Sequence, residues 1–461
     1  MHLILNAIRK IVPVPVFDLY HRTLSWLAAV WYGHPSRRMV VIGVTGTSGK
    51  TTTAYLISKA LEASGAATGC TTTAFFKIGD RAWSNATKMT MVGRFQLQRL
   101  LREMADAGCR YAVVETTSQG IVQHRHEHVA YDVCVFTNLW PEHIEAHGGF
   151  ENYKRAKIRL FDYAASLPPK VLDGKTVPRV AVLNAGSEYA KDFVVEGFGR
   201  VIMYEAATAS GGRPSVLRLR SGQALPVRQA SKILLATDVV AAADHVTFMV
   251  DGVAVRLNLP GAVNVENALA ALAAAGALDV PFADAARALS RAPGLPGRYE
   301  RVDEGQAWTV IVDFAFEPGA MKKLYELVAS LDHRRVIHVL GSAGGGRDAS
   351  RRPVLGRIAG KNADVVVVTN EDPYDDDPWE IVNQVANGAV DAGKKDGHNL
   401  YRILDRRDAI RLAMKMAKAG DVVLITGKGN EPVMAVAGGR KIPWSDAEEA
   451  KKAIREITKF E

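Results

Sequence analysis

The sequence predicts an α/β protein: a central, doubly wound sheet domain of P-loop type, followed by a C-terminal Rossmann-like α/β domain. Three observations carry that expectation. Short β-branched runs recur between helical stretches, as buried parallel strands do. A glycine-rich turn, Gly43–Thr52, joins the first of these runs to a helix. After the linker Pro293-Gly294-Leu295-Pro296-Gly297 the alternation starts again.

Taken in order, residues 1–38 stand apart as a short helical segment. Phe17–Tyr32 is amphipathic and is closed by Gly33-His34-Pro35. It is expected to pack its aromatic face onto the following domain, since its charge is too sparse for a helix lying on a membrane surface. The central domain spans 39–297. Met39–Val44 reads as a buried strand, and the helix from about Lys50 to Ser64 stops at Gly65. Tyr111–Glu115 and Asp132–Thr137 are further strands with polar ends, which is where open α/β sheets hold ligands. From Gly199 to Leu259 the texture is β-rich, with a hairpin signal at Asp251-Gly252. Asn264–Gly276 is an alanine-rich helix. The C-terminal domain, 298–461, has strands near Thr309–Asp313, Val336–Leu340, Asp364–Val368, Tyr401–Leu404 and Asp421–Thr426.

Composition narrows the function classes. The chain has 461 residues, 48% apolar and 23% charged, which excludes a disordered or collagen-like protein. Three scattered cysteines (Cys70, Cys109, Cys134) exclude a disulfide scaffold and a Cys-x-x-Cys metal site. The net charge of +9 fits an enzyme for anionic substrates as well as it fits nucleic acid. Without a basic stripe interleaved with aromatics, no nucleic-acid partner is expected. No apolar run reaches a membrane span, and Leu3–Leu5 has no basic region before it, so a cytoplasmic location is expected.

Three groups of residues point to chemistry. A triphosphate needs converging N–H donors, a close backbone and a positive charge. Gly46, Thr47, Ser48, Gly49, Lys50, Thr51 and Thr52 offer these at a helix N-terminus, and the Thr51 hydroxyl can ligate Mg²⁺. The strict G-x-x-x-x-G-K-[ST] pattern fails, because the glycines fall at 43, 46 and 49. Glu115, at a strand end, can hold Mg²⁺ or cap the next segment. Past the next strand lie His143 and Lys157. Read without comparison, Lys157 among Ala156, Ile158 and Leu160 is a lysine snorkelling to water. His124, His126 and His128 could share one face of an extended segment as a metal cluster, but no Cys or Asp stands at ligand spacing.

These blocks, together with VETTSQGIVQHR, FTNLWPEHIEAHGGFENYKRAK, GAVNVENALAA, PGRYE, GGGRDASRRP and TGKGNE, resemble the Mur ligase superfamily from about Met39 to the C-terminus. The resemblance is strongest to its UDP-N-acetylmuramoyl-dipeptide:diamino-acid ligases, the MurE family. It implies ATP-dependent ligation of a carboxylate to an amine through an acyl phosphate, in peptidoglycan precursor synthesis. By the same resemblance, Lys50 and its loop hold ATP. Thr51 and Glu115 hold one Mg²⁺, and His143 and a carbamylated Lys157 serve a second. Asn264, Asn267, Arg298 and Asp313 complete the nucleotide site when the domains close. Thr87, Arg125, Arg347, Asp372, Tyr374, Gly427 and Glu431 fall at substrate positions, which implies small-molecule partners: an acidic peptide or muropeptide, and an amino acid.

The chain departs from the family in three places. Only 42 residues precede Gly43, where family members carry about a hundred in a UDP-gripping domain. Another chain, a different substrate handle or the short helix is expected to stand in for it. Glu371-Asp372-Pro373-Tyr374 replaces Asp-Asn-Pro-Arg, and Phe314-Ala315-Phe316-Glu317-Pro318 replaces Tyr-Ala-His-x-Pro. A poly-γ-glutamyl or cyanophycin-type ligase is the alternative within the superfamily. A nucleotide-binding module that makes no bond is the alternative outside it.

Overall fold

The computed structural model describes residues 14–141, 147–206 and 230–458. The chain divides into two units, Met1–Ala241 with His245–Ala292, and Ala242–Asp244 with Pro293–Glu461.

In the first unit, helix α1 (Val14–Trp31) precedes strand β1 (Val40–Thr45), and β1 runs through the phosphate-type turn into α2 (Lys50–Glu62). Then come β2 (Thr68–Thr71), β3 (Phe75–Ile78), β4 (Arg81–Ser84), α3 (Arg94–Asp106), β5 (Tyr111–Glu115), α4 (Ser118–Val122), β6 (Tyr131–Phe136) and α5 (Phe150–Ser166). A small hairpin, β7 (Val171–Leu172) and β8 (Lys175–Thr176), leads to β9 (Val180–Asn184), β10 (Arg200–Ala206), β11 (Ala230–Ala241), β12 (Val246–Val250) and β13 (Val253–Leu257). Helices α6 (Val263–Ala277) and α7 (Phe282–Arg291) close the unit.

Eleven of these strands form one sheet in the order β13-β12-β11-β10-β9-β6-β1-β5-β2-β3-β4. From β11 to β2 all neighbours are parallel. The β12–β13 and β3–β4 hairpins add antiparallel edges. β1, β5, β6 and β9 are buried along their whole length, which is why they read as continuous apolar runs. β1 lies between β5 and β6, where the crossovers leave in opposite directions, so its C-terminal turn opens into the crevice of the switch point. At the expected hairpin, Asp251 and Gly252 both take positive φ (49° and 78°), as a two-residue primed turn requires.

Helix α1 corrects one expectation. Its aromatic side does not pack inward: Tyr20, Trp26 and Trp31 are 55%, 50% and 78% exposed. The helix is instead buried through Ser25, Ala28 and Ala29, whose small side chains at i, i+3 and i+4 let its backbone come close to the unit.

The second unit is a six-stranded sheet in the order β14-β15-β19-β16-β17-β18, parallel except at β14. Its strands are β14 (Glu300–Val302), β15 (Thr309–Asp313), β16 (Val336–Leu340), β17 (Val365–Thr369), β18 (Leu400–Ile403) and β19 (Val422–Thr426). Apolar side chains fill both faces: Ile311, Leu340, Val366 and Leu424 on one, Val310, Ile337, Val367 and Val423 on the other. The boundaries differ from the sequence expectation by one residue at β17 to β19.

Candidate active site

The turn after β1 is built by backbone geometry before any side chain acts. Gly49 sits at φ 78° as the residue before α2, and a Cβ there would lie 2.5 Å from Asn267 Oδ1. That position demands glycine. The end of β6 fixes the other wall. Ser48 N donates to Asn138 Oδ1 at 2.9 Å, Thr47 N donates to the Asn138 carbonyl at 2.9 Å, and Thr137 Oγ1 donates to the Ser48 carbonyl at 2.7 Å. Asn184 Nδ2, from β9, holds the Thr137 carbonyl at 2.7 Å. Lys50 reaches back to the Thr47 carbonyl at 2.7 Å, so its ammonium lies along the loop at the helix N-terminus.

Two more groups meet this loop. Thr51 Oγ1 donates to Glu115 Oε2 at 2.9 Å, and Thr73 donates to the same carboxylate through its N–H at 2.8 Å and its hydroxyl at 3.1 Å. Thr73 was not picked out from the sequence; the Thr71-Thr72-Thr73 run at the end of β2, a strand paired with β5, is the signal that locates it. Lys157, on α5, does not snorkel. It is 1% exposed, donates to the Gly46 carbonyl at 2.6 Å, and stands 4.3 Å over the Tyr153 ring. Tyr153 Oη in turn lies 3.1 Å from Thr47 Oγ1. Burial, and then the nearby Lys157 charge, hold His147 below the usual histidine range.

Thr51 and Glu115 offer a hydroxyl and a carboxylate oxygen side by side, the hard donors that Mg²⁺ takes alongside water and phosphate. His143 lies outside the described residues. Asn267 joins the loop from α6, accepting from Thr53 Oγ1 at 3.0 Å and donating to Asn264 Oδ1 at 2.9 Å. Thr52 is buried in the first turn of α2. Thr87 donates to Asn85 Oδ1 at 2.6 Å, within a turn that Asn85 also ties to the Thr72 carbonyl at 2.8 Å.

Arg125 is half-buried. It donates to the Met91 carbonyl and to Gln123 Oε1 (2.6 Å), its Nε has no partner, and it makes no ion pair among the described residues. Burial, then the neighbouring Arg94, bring its guanidinium down to about 10. A cation desolvated without a carboxylate is a ready receptor for an incoming anion.

The histidine cluster is not a metal site. The segment turns at His124 (φ 56°) and His128 (φ 62°) instead of running extended. Both His124 ring nitrogens are engaged, by Asp18 Oδ1 at 2.5 Å and Glu127 Oε1 at 2.8 Å. Burial brings His126 down to about 3, so it is a neutral ring, edge-on to Tyr163. Among the described residues no three His, Cys, Asp or Glu side chains gather for a metal.

In the second unit, Asp313 ends β15 and accepts from Tyr299 N (2.7 Å) and Ala315 N (2.8 Å), with burial pushing its carboxyl up. Arg298 stacks 4.4 Å over Phe314. Asp372 is occupied: both its oxygens take Lys428 Nζ, at 2.9 and 3.0 Å, and Oδ1 also accepts Ala435 N. Glu431 shares the same ammonium at 2.7 Å. Gly427, at φ 108°, leaves the space that the Glu371 carboxyl fills. Glu371 is 4% exposed with Oε2 unpartnered, and burial, then the Asp372 charge, push it up to about 7. Tyr374 takes a left-handed φ of 52°, and Arg347 is exposed. The sequence reading named Asp372 and Glu431 but not the lysine between them.

A family model described as the Mur ligase middle domain matches residues 44–275, and one described as the Mur ligase, glutamate ligase domain matches residues 297–429. The chain is 42% identical over 454 residues to a UDP-N-acetylmuramyl-tripeptide synthetase of Roseiflexus sp. (strain RS-1), covering 97% of this chain and 85% of that one. It is 34% identical over 448 residues to a UDP-N-acetylmuramoyl-L-alanyl-D-glutamate--2,6-diaminopimelate ligase of Geobacillus kaustophilus, covering 96% and 85%. A solved structure of a ligase of that name superposes with TM-score 0.57 at 26% identity, over 91% of this chain and 79% of that one. A folylpolyglutamate synthase of Mycobacterium tuberculosis superposes with TM-score 0.60 at 19% identity, over 94% of each chain, a likeness of fold.

Proposed function

The chain belongs to the Mur ligase family and is an ATP-dependent ligase; from that premise we propose that it extends a UDP-N-acetylmuramoyl peptide by one amino acid through an acyl phosphate. One observation carries the reading. A single loop, Gly46–Thr51, meets a desolvated lysine on one side and a hydroxyl–carboxylate pair on the other. A switch that only binds nucleotide has no use for Lys157.

In this reading the loop N–H groups and Lys50 hold the triphosphate and offset charge on the transferring phosphoryl group. Thr51 and Glu115 would hold Mg²⁺, which when bound supplies further charge neutralisation. Lys157 would react as the free amine with CO₂. Its carbamate is anionic, so a cation that repels a metal becomes an oxygen donor to a second Mg²⁺, with His143 as partner. Asn264 and Asn267 face the nucleotide, and Arg125 takes an anionic group of the donor peptide. The acceptor amino acid falls to the second unit, at Arg347, Tyr374, Gly427 and Glu431, while Asp372 acts through its pair with Lys428.

The test is to incubate the purified chain with ATP, Mg²⁺, UDP-N-acetylmuramoyl-L-alanyl-D-glutamate and a panel of amino acids. Phosphate release should accompany a product heavier than the donor by one residue. A folate glutamate donor serves as control. ATP hydrolysis with no new product for any amine would refute the proposal. Lys157→Ala should abolish ligation and leave ATP binding intact, and ¹³C-labelled bicarbonate should give a carbamate resonance absent from that variant.

A further inference from the structure

We infer that helix α1 is a positioning element for the donor site: through Asp18, Ser25 and Arg94 it holds the Gln123–Arg125 turn, and so aims Arg125. The inference rests on the reading of Arg125 as the residue that meets an anionic group of the acyl donor.

The turn does not hold itself. His124 is in the left-handed region at φ 56°, a strain of about 1 kcal/mol or more for a residue with a side chain, so tertiary contacts must fix it. Local backbone bonds, the Met91 carbonyl and Tyr163 of α5 take part, and the bonds that meet His124 from outside the segment come from α1. Ser25 Oγ donates to the His124 carbonyl at 2.7 Å, and Ser25 is buried. Asp18 Oδ1 takes His124 Nε2 at 2.5 Å, and Glu127 takes the other ring nitrogen. Arg94, from α3, bridges the two elements. Its Nε donates to the His21 carbonyl and to Ser25 Oγ, each at 3.1 Å, and its Nη2 donates to the Gln123 carbonyl. Gln123, pinned there by its backbone, accepts Arg125 Nη2 on its side chain at 2.6 Å.

The path from helix to guanidinium is therefore continuous: Ser25 and Arg94 to the Gln123 and His124 carbonyls, then Gln123 Oε1 to Arg125. The endpoint suits the task. Arg125 is a desolvated cation with one unpartnered nitrogen and no ion pair among the described residues, so its direction decides whether an anion can be met. Releasing the turn would cost donor affinity and leave the ATP loop held, because the loop's own bonds run to the ends of β5 and β6, to α5 and to α6, and none of those described reaches the Gln123–Arg125 turn.

The experiment compares wild type with Asp18→Asn, Ser25→Ala and the double variant in full-length protein. Hydrogen–deuterium exchange over residues 119–128 reads the tether directly. Steady-state kinetics with UDP-N-acetylmuramoyl-L-alanyl-D-glutamate reads its consequence. In the double variant, exchange in that segment should speed up, KM for the donor should rise about tenfold, and KM for ATP and kcat should stay within about twofold. Asp18→Asn alone, at a half-exposed side chain, should give a smaller shift of the same kind in a protein of wild-type Tm. Unchanged exchange would overturn the inference. So would faster exchange with an unchanged donor KM, or a joint loss of Tm, ATP KM and kcat marking a merely structural contact. A wild-type chain inert toward this donor would refute the functional reading and the donor role together, whereas a tether that fails in an active ligase refutes the inference alone.

Discussion

Replacing Glu371 with glutamine should make the stability of this protein less dependent on pH. The carboxyl is buried beside Asp372, with one oxygen unpartnered, and its pKa rises from the ordinary 4.5 to about 7. A carboxyl raised in the folded state stays protonated there while the unfolded chain has already ionised. Its neutral form is fully tolerated below about pH 4.5, and stability is lost as pH climbs from there to 7. At about 1.36 kcal/mol per unit, the wild type should lose about 2.5 kcal/mol between pH 5 and pH 8 from this group alone. The amide that replaces the carboxyl cannot ionise, so Glu371→Gln should lack that loss. In a domain of this size the difference amounts to about 5–10 °C in Tm. Urea unfolding of both proteins at half-unit steps from pH 5 to pH 8 measures it. The informative quantity is the gap between the two curves, because any loss of packing in the variant is constant with pH. A gap that stays flat across the range would refute the reasoning, and a gap that moves in the wild type's favour as pH rises would invert its sign.

Three further outcomes follow from the geometry. Gly49→Ala puts a Cβ 2.5 Å from Asn267 Oδ1 at a φ of 78°, so ATP affinity by titration calorimetry should fall at least about tenfold. Arg406→Met removes a guanidinium paired with Asp446 at 2.7 and 2.8 Å, both side chains fully buried, and should cost about 3–5 kcal/mol in urea unfolding. Adding Asp446→Leu should recover most of that, whereas a double variant as unstable as the single would show that the isolated charge is not the cause. Trp31→Ser, at a side chain 78% exposed, should change unfolding free energy by no more than about 0.5 kcal/mol.

The fold was legible where burial is symmetrical. Val40–Thr45, Thr309–Asp313 and Val336–Leu340 are covered on both faces, so their apolar runs mark strands to within a residue. Gly65 and Asp251-Gly252 were legible because a positive φ restricts which residue can stand there. Helix α1 was not read correctly. Amphipathic spacing reveals that a helix has two faces, and the larger side chains suggest which one is buried. Here the close approach belongs to Ser25, Ala28 and Ala29, while Tyr20, Trp26 and Trp31 stay outside. Size favours burial only where the neighbour leaves room, and that depends on residues far along the chain.

The site divides in the same way. Lys50 and Thr51 are tied to their roles by local spacing, since a helix N-terminus and its first turn come from consecutive residues. Glu115 needs more: it serves this loop because β5 pairs with β1, bringing residues 64 positions apart into a 2.9 Å bond. Thr73 needs a further pairing, β2 on β5, and its own neighbourhood offers only the Thr71-Thr72-Thr73 run at the strand's end. Lys157 shows the limit most sharply. Its apolar neighbours on α5 are equally compatible with a snorkelling side chain and a buried one. The carbonyl of Gly46 decides between them by giving the ammonium a partner 2.6 Å away, which offsets the cost of burying it in an apolar wall. Chemistry that arises from contacts across the sheet is written in the pairing of strands, and pairing is a property of the folded topology that a linear reading reaches only through the strands' ends.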